Sequence, residues 1–328
     1  MSANIGSIAY LGSRNDVWHR LGEEMPEGQG VEAWAKAAGL DWTAEKSPAY
    51  AQLPDGSFKQ VNGRYFLTRS DNHHPLGYVS DVYQPVQPSN VLEWFQRYIA
   101  VDDRFALDVA GSLKQGEIIW ATAVYRDKLE VAGDAHIARV LMTTTFDGSG
   151  STINQGTVTR VVCNNTLNAA LADKRAVIRT RHNAKFDAAK VGRELAAVAQ
   201  GFAVYKKMGD ALALNEMSGR ETSNLFKHVL DIPFETEWKD LSARKQNQFA
   251  DLKRAYSETI TEGAQANTAW AALNAVTRYV DHSKSVRGGE GTSEAEKRFA
   301  SAQFGQGNQI KAMAWDFLLP RIKDLAIA

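Results

Sequence analysis

The hydrophobic pattern divides this chain into a front half with the alternation of strands and a back half with the three-to-four-residue spacing of helices. Val31, Trp34, Ala35 and Ala38 fall at helical spacing, and Gly39 is placed to stop that helix. Three strand-like segments follow, 41–52, 63–69 and 76–86, joined by the turn residues Pro54, Asp55 and Gly56 and then Ser70, Asp71 and Asn72. The spacing next predicts a helix over 90–99, with Leu92, Phe95 and Ile99 as its buried stripe and Asn90 and Glu93 spaced as a capping box. The three strands are expected to form one antiparallel sheet packed by that helix.

A second strand set is predicted at 105–113 and 117–126, around Lys114, Gln115 and Gly116, and at 139–146 and 157–163, around a Gly/Ser-rich reversal containing Gly148 and Gly150. From Thr166 onward the pattern predicts helices over 166–177, 184–208, 216–229, 240–262, 264–283 and 293–318, with breaks at Gly209, 231–233 and 286–291. Strands first and helices afterwards is an α+β signature. It implies an antiparallel sheet core (helix-β-β-β-helix plus a second strand set) followed by a helical C-terminal half. The expected organisation is an extended N-terminal arm at 1–30, an α+β core at 31–207 that binds the partner, and a helical region at 208–328. No repeat of 20–50 residues is visible.

A chain of 328 residues can bury one large core or two modest ones. Its one cysteine, Cys163, excludes an intramolecular disulfide and a Cys-based zinc site, and its apolar strand pattern reads as an inert buried thiol. The N-terminus shows no basic segment followed by an apolar run, so no signal peptide is expected. No apolar stretch approaches the ~20 residues that span a bilayer. A cytoplasmic protein without a membrane partner is the expectation.

Charge changes the picture more. The chain is neutral overall, yet residues 160–207 hold ten Lys/Arg against three acids, while residues 1–159 hold thirteen bases against nineteen acids. A segregated +7 points to an anionic partner, and a −6 region beside it predicts head-to-tail association of copies into a ring or filament.

Catalytic motifs are missing. Gly148-Ser149-Gly150 lacks the third glycine of a dinucleotide loop, and no Gly-Lys-Ser/Thr closes a glycine-rich run. His73 and His74 have no HxH or HExxH spacing, Glu23 and Glu24 no matched acid/base partner, and no Gly-x-Ser-x-Gly elbow occurs. A non-enzyme without cofactor or metal is expected.

Two motifs carry binding chemistry. The first is Thr159–Thr166 (TRVVCNNT), read as a strand delivering Asn164 and Asn165 to a helix N-terminus, where free N–H groups favour an anion, with Arg160 just upstream. Simple capping by one Asn and an ion pair for Arg160 is the alternative. Lys174, Arg175, Arg179, Arg181 and Lys185 extend this basic run. The second motif is Arg64–Arg69 (RYFLTR), where strand alternation puts Tyr65 and Arg69 on one face and Arg64 and Phe66 on the other. Tyr78 and Tyr83 lie on the next strand. Aromatics that stack bases and cations that track phosphates are what single-strand binding needs. Burial in a core is the competing reading for any one of them.

The segments GLDWTAEKSPAY, YFLTRSDNHHPLGYVSDVYQPVQP, AGSLKQGEIIWATA, TRVVCNNTLNAAL and NTAWAALNAVTRYVDH together resemble the phage/plasmid-like protein family, a group classed as a domain of unknown function. The resemblance covers roughly residues 8–320. It implies a mobile-element protein of the bacterial cytoplasm and carries over no catalytic residues. In layout, the helix, three antiparallel strands and following helix also resemble the core of the single-strand annealing proteins (Red-beta, RecT and Rad-type recombinases). That resemblance implies an ATP-independent, metal-optional homo-oligomer holding single-stranded DNA in a basic groove; the extra strands at 105–163 depart from it.

The combined expectation is a strand-annealing recombination protein of a phage or plasmid. Arg160, Asn164, Asn165, Lys174, Arg175, Arg179, Arg181, Lys185, Arg64, Tyr65 and Arg69 would contact single-stranded DNA. Host or phage replication and recombination proteins would be further partners. A non-catalytic interaction protein of a mobile element, such as an inhibitor of a host defence system, is the alternative; for a nuclease the carboxylate and His clusters are too diffuse.

Overall fold

The computed structural model describes residues 8–11, 23–26, 28–85, 87–146, 151–160, 163–166, 177–181, 188–286, 294, 297–298, 301–302 and 305–322. Two strands lie within the stretch read as an N-terminal arm. β1 (Ile8–Leu11) runs parallel to β2 (Glu23–Met25) and antiparallel to β6 (Phe105–Leu113), and Ile8, Ala9 and Met25 are buried.

Helix α1 (Val31–Ala37) ends as its sequence requires. Gly39 adopts φ +61°, the Gly39 N–H donates to the Lys36 carbonyl at 3.1 Å, and the Leu40 N–H donates to the Ala35 carbonyl at 2.7 Å. This is a Schellman stop, and the fully buried Leu40 fixes the exit direction of the chain.

The chain then forms the expected three-stranded antiparallel sheet, ordered β3 (Ala44–Gln52), β4 (Phe58–Arg69) and β5 (Pro75–Ser80). The register sets Ser47 opposite Phe66 and Phe66 opposite Tyr78, with an irregularity between Pro48 and Tyr50. Helix α2 (Pro88–Ile99) begins two residues before the predicted start, because Pro88 supplies a φ preset for the first turn. The expected Asn90/Glu93 capping box is therefore replaced by Gln87 at the N-cap. Its side chain pairs instead with the Ala44 backbone, accepting the N–H at 2.8 Å and donating to the carbonyl at 3.2 Å. Helix α2 packs chiefly on α1 and β6 rather than over the three-stranded sheet. That sheet consequently keeps one face open.

The larger sheet contains nine described strands: β1, β2, β6, β7 (Ile118–Tyr125), β8 (Leu129–Val131), β9 (Asp134–Thr145), β10 (Ser151–Arg160), β11 (Cys163–Thr166) and β12 (Val177–Arg181). Its order is β11-β10-β9-β7-β6-β1-β2, with β12 paired to β10 and β8 to β9. Here the structure corrects the sequence reading. Residues 163–166 are not a strand end followed by a helix cap; they pair with β10 from Arg160↔Cys163 to Thr157↔Thr166. Val177 begins a strand as well, so both described ends of the predicted 166–177 helix are extended. Residues 177–181 hold Val177, Ile178 and Thr180, β-branched types that fit a pleated sheet. The Gly148–Gly150 reversal lies outside the described residues.

The fold divides into two compact units, one of residues 1–124, 141–154 and 178–193, the other of 125–140, 155–177 and 194–328. The second unit holds most of α3 (Ala188–Leu214) together with α4 (Gly219–Val229), α5 (Ala243–Thr261), α6 (Ala269–Arg278), the π turn Tyr279–Ser283 and α7 (Gln306–Leu318). Its core gathers His136, Tyr205, Trp270 and Trp315, with the Tyr205 ring 5.8–6.1 Å from the other three. Helix α6 is the central member, since every residue from Ala269 to Thr277 is buried. The observed architecture is α+β, with antiparallel sheets and a helical C-terminal half.

Gly209 was expected to break a helix, yet α3 runs straight through it. The glycine answers to packing. A Cβ there would stand 2.2 Å from Val131 Cγ1 and 3.1 Å from Trp270 Cζ3. Gly209→Ala should gain ~1 kcal/mol in helix propensity and lose more to overpacking, which runs to ~1–3 kcal/mol and higher for so short an approach. A lowered denaturation midpoint is expected, partly restored by adding Val131→Ala; a midpoint at or above wild type would show that the segment yields freely.

Candidate nucleic-acid interface

β4 and β5 build the candidate surface. Opposed residues of an antiparallel pair share a face, so Arg64, Phe66 and Thr68 of β4 stand with Tyr78 and Ser80 of β5. The opposite face carries Tyr65, Leu67 and Val79, of which Leu67 and Val79 are buried. The covered side is thus satisfied, and the other side presents aromatics to solvent. Phe66 is 41% and Tyr78 47% exposed, and their ring centroids lie 5.3 Å apart with planes inclined by 51°. The Arg64 guanidinium carbon sits 5.8 Å from the centre of the Tyr78 ring.

The patch continues toward the β3–β4 turn. Of nine large apolar side chains exposed among the described residues, six lie between Tyr50 and Val82: Tyr50, Leu53, Phe58, Phe66, Tyr78 and Val82. Scattered exposed apolar residues need no explanation, but a concentration on one small sheet makes that sheet a candidate binding surface. Lys59 and Arg64 are exposed beside these rings. The turn itself is rigidly built: Asp55 Oδ1 accepts from the Ser57 N–H at 2.9 Å and from its hydroxyl at 2.6 Å, and the Ser57 hydroxyl, first, then its N–H hold the Asp55 carboxyl below the usual range.

Arg69 belongs to the fold. Its Nε and Nη2 donate to the Asp71 carboxylate at 2.9 and 2.6 Å, its Nη1 donates to the Gln115 carbonyl at 2.8 Å, and its guanidinium lies 4.6 Å over the Trp42 ring. Hydrogen bonding from Arg69 pulls the Asp71 pKa down. With a side chain only 12% exposed, Arg69 anchors the sheet rather than offering a cation to a ligand. Tyr65 is half-buried on the covered face, with Lys46 Nζ 5.4 Å from its ring centre. The predicted alternation of faces is correct, but Arg64 and Phe66 hold the open side, not Tyr65 and Arg69. Nothing in the pattern singled out Phe66 over Tyr65; only the packing of the reverse face separates them.

Among the remaining predicted residues, Arg160 ends β10, Asn164 and Asn165 lie within β11, and Arg179 and Arg181 lie in β12. Asn164 and Asn165 therefore occupy a strand, not a helix N-terminus, and pair with Thr159 and Val158. Lys174, Arg175 and Lys185 lie outside the described residues. β11 and β12 both pair with β10. No group of three or more His, Cys, Asp or Glu residues suited to a metal occurs among the described residues, and His73 is exposed in a turn at φ +58°. No described helix is long and apolar enough to cross a membrane.

Comparison with known proteins gives a family and little else. No curated protein and no solved structure matches this chain. A family profile described as a domain of unknown function, DUF932, matches residues 75–302, from the start of β5 to just before α7. β5, the larger sheet from β6 onward and most of the helical unit fall inside that match, while β3 and β4 precede it. Since the match spans well over half of its length, the chain belongs to the family of the domain of unknown function DUF932.

Proposed function

We propose that this chain binds single-stranded DNA and anneals complementary strands without ATP, as a recombination protein of a phage or plasmid acting in the bacterial cytoplasm. The observation that carries the reading is the open face of the three-stranded sheet, where Phe66 and Tyr78 lie side by side with Arg64 against the Tyr78 ring. Bases stack on such rings regardless of sequence, each contributing ~1–3 kcal/mol, and a neighbouring guanidinium takes the phosphate. Stacking holds a base by its π face and leaves its pairing edge available to a second strand. Annealing needs no bond-making group, only an extended strand and enough positive charge to bring two polyanions together. The +7 segment 160–207 supplies that charge, through Arg160, Lys174, Arg175, Arg179, Arg181 and Lys185. Copies associating through oppositely charged regions would extend the track into a ring or filament.

Replacing Arg160, Arg175 and Arg179 together with Ala should weaken binding to a labelled oligonucleotide without changing base preference. The slope of log K against log salt should fall by roughly 2, because each phosphate contact on a single strand releases about 0.7 counterion. A folded triple variant with wild-type affinity and slope would remove the basic segment from the interface.

A second reading, a non-catalytic interaction protein such as an inhibitor of a host defence system, draws on one specific observation. Residues 44–83 carry four bases (Lys46, Lys59, Arg64, Arg69) and four acids (Glu45, Asp55, Asp71, Asp81). A charge-balanced surface rich in exposed aromatics also suits a protein partner. Wild-type protein that fails to shift the anisotropy of any oligonucleotide at low salt would favour this reading.

A further inference from the structure

A cavity of about 1070 Å³ opens within the helical unit, and among the described residues Arg244, Lys245, Lys284 and Lys297 line it together with one acid, Asp231. Its volume is of the order that holds a drug-sized ligand (~300–1,000 Å³). The π turn Tyr279–Ser283 shapes one wall, and the Lys284 N–H closes it on the Tyr279 carbonyl at 2.7 Å. Such turns insert an extra residue where a site needs a side chain re-aimed. Lys284 is nine-tenths buried, and among the described residues its ammonium has one hydrogen-bond partner, the neutral Gln306 Oε1 at 3.2 Å. Burial and the neighbouring Arg244 push its pKa down, and no carboxylate among the described residues opposes that shift. Two cations held close without a counter-charge are unfavourable by themselves and become favourable when an anion joins them.

Two helix starts add to this polarity. Ser242 is the N-cap of α5 and Gly305 that of α7, neither helix has an acid in its first turn, and Ser242, Gln306 and Gln309 all line the cavity. The Ser242 hydroxyl already takes the Lys245 N–H and the Ser301 hydroxyl the Gly307 N–H, so these starts contribute chiefly their dipoles, which favour negative charge at the same place. Leu230, Ile310 and Met313 complete the lining with apolar surface, which suits the body of a ligand rather than a bare ion.

We propose that this cavity is a binding site for a phosphorylated small molecule of nucleotide size, with Lys284 and Arg244 gripping the phosphate. The proposal is independent of the nucleic-acid reading, since it uses neither the β3-β4-β5 face nor the basic segment.

Calorimetric titration of the full chain tests it, using dAMP, deoxyadenosine and inorganic phosphate as probes. Binding of dAMP and weaker binding of phosphate are expected, with no heat from deoxyadenosine at equal concentration. Lys284→Gln and Arg244→Gln should each weaken dAMP at least tenfold. Lys284→Gln should also raise the apo melting temperature, because it removes a buried charge with no carboxylate beside it among the described residues; Arg244→Gln keeps the test open if the first variant folds poorly. A 5′-phosphorylated oligonucleotide that displaces dAMP where its 5′-hydroxyl counterpart does not would place the same phosphate on a strand end. Absence of dAMP binding, equal binding of deoxyadenosine, or wild-type dAMP affinity in both folded variants would overturn the proposal.

Discussion

Lys311→Met is expected to destabilise the helical unit by about 3–5 kcal/mol, the usual loss when one member of a buried ion pair is removed. Lys311 on α7 is 1% exposed, and its Nζ lies 2.6 Å from Asp281 Oδ1 on the π turn. Asp281 itself is only 11% exposed, so removing the ammonium takes a close cation from a carboxylate that water barely reaches. The lost pair also releases the π turn from α7. Adding Asp281→Asn should recover much of the loss, because the buried negative charge that Lys311 balanced is then removed as well. Urea denaturation of wild type, both single variants and the double variant measures this directly. A Lys311→Met midpoint within experimental error of wild type would mean that the turn is held by its packing alone.

How far this was readable beforehand depends on the residue. Gly39 announced its helix stop because one rule, φ > 0 after a helical stripe, decides the matter locally. The three strands from 44 to 80 were legible for a similar reason, since alternation and turn residues agreed. Gly209 misled because the same residue type answers to two demands, and Val131, which crowds it, is 78 positions away in sequence. Asn164 and Asn165 misled because Asn caps helices and also tolerates strand edges; the pairing partner in β10 made the choice. Arg69 and Arg64 were indistinguishable as letters. Their roles part only when Asp71, Gln115 and Trp42 close around the first and leave the second in solvent. The cation-lined cavity was not visible at all. Arg244 and Lys284 are 40 residues apart in sequence, and a π turn has no sequence signature that brings them together.

Phe66→Ala with Tyr78→Ala is expected to produce the largest loss of single-strand affinity. An aromatic ring that stacks a base is worth ~1–3 kcal/mol, so on the proposed reading the pair represents ~2–6 kcal/mol, or a drop of at least about thirtyfold. Stability should hardly change. Both rings are more than two-fifths exposed, and their backbone positions in β4 and β5 are fixed by the ladder rather than by the side chains. The salt slope should also stay near wild type, since no phosphate contact is removed except through the Arg64 guanidinium resting on Tyr78. Tyr65→Ala, on the covered face, should do the reverse, affecting stability more than binding. The decisive measurement is the fluorescence anisotropy of a labelled poly-dT oligonucleotide titrated with wild type and with the Phe66→Ala/Tyr78→Ala variant at low salt. Saturable wild-type binding that weakens at least thirtyfold in the folded double variant is the expected result. No binding by wild type, or equal binding by both proteins, would contradict the account.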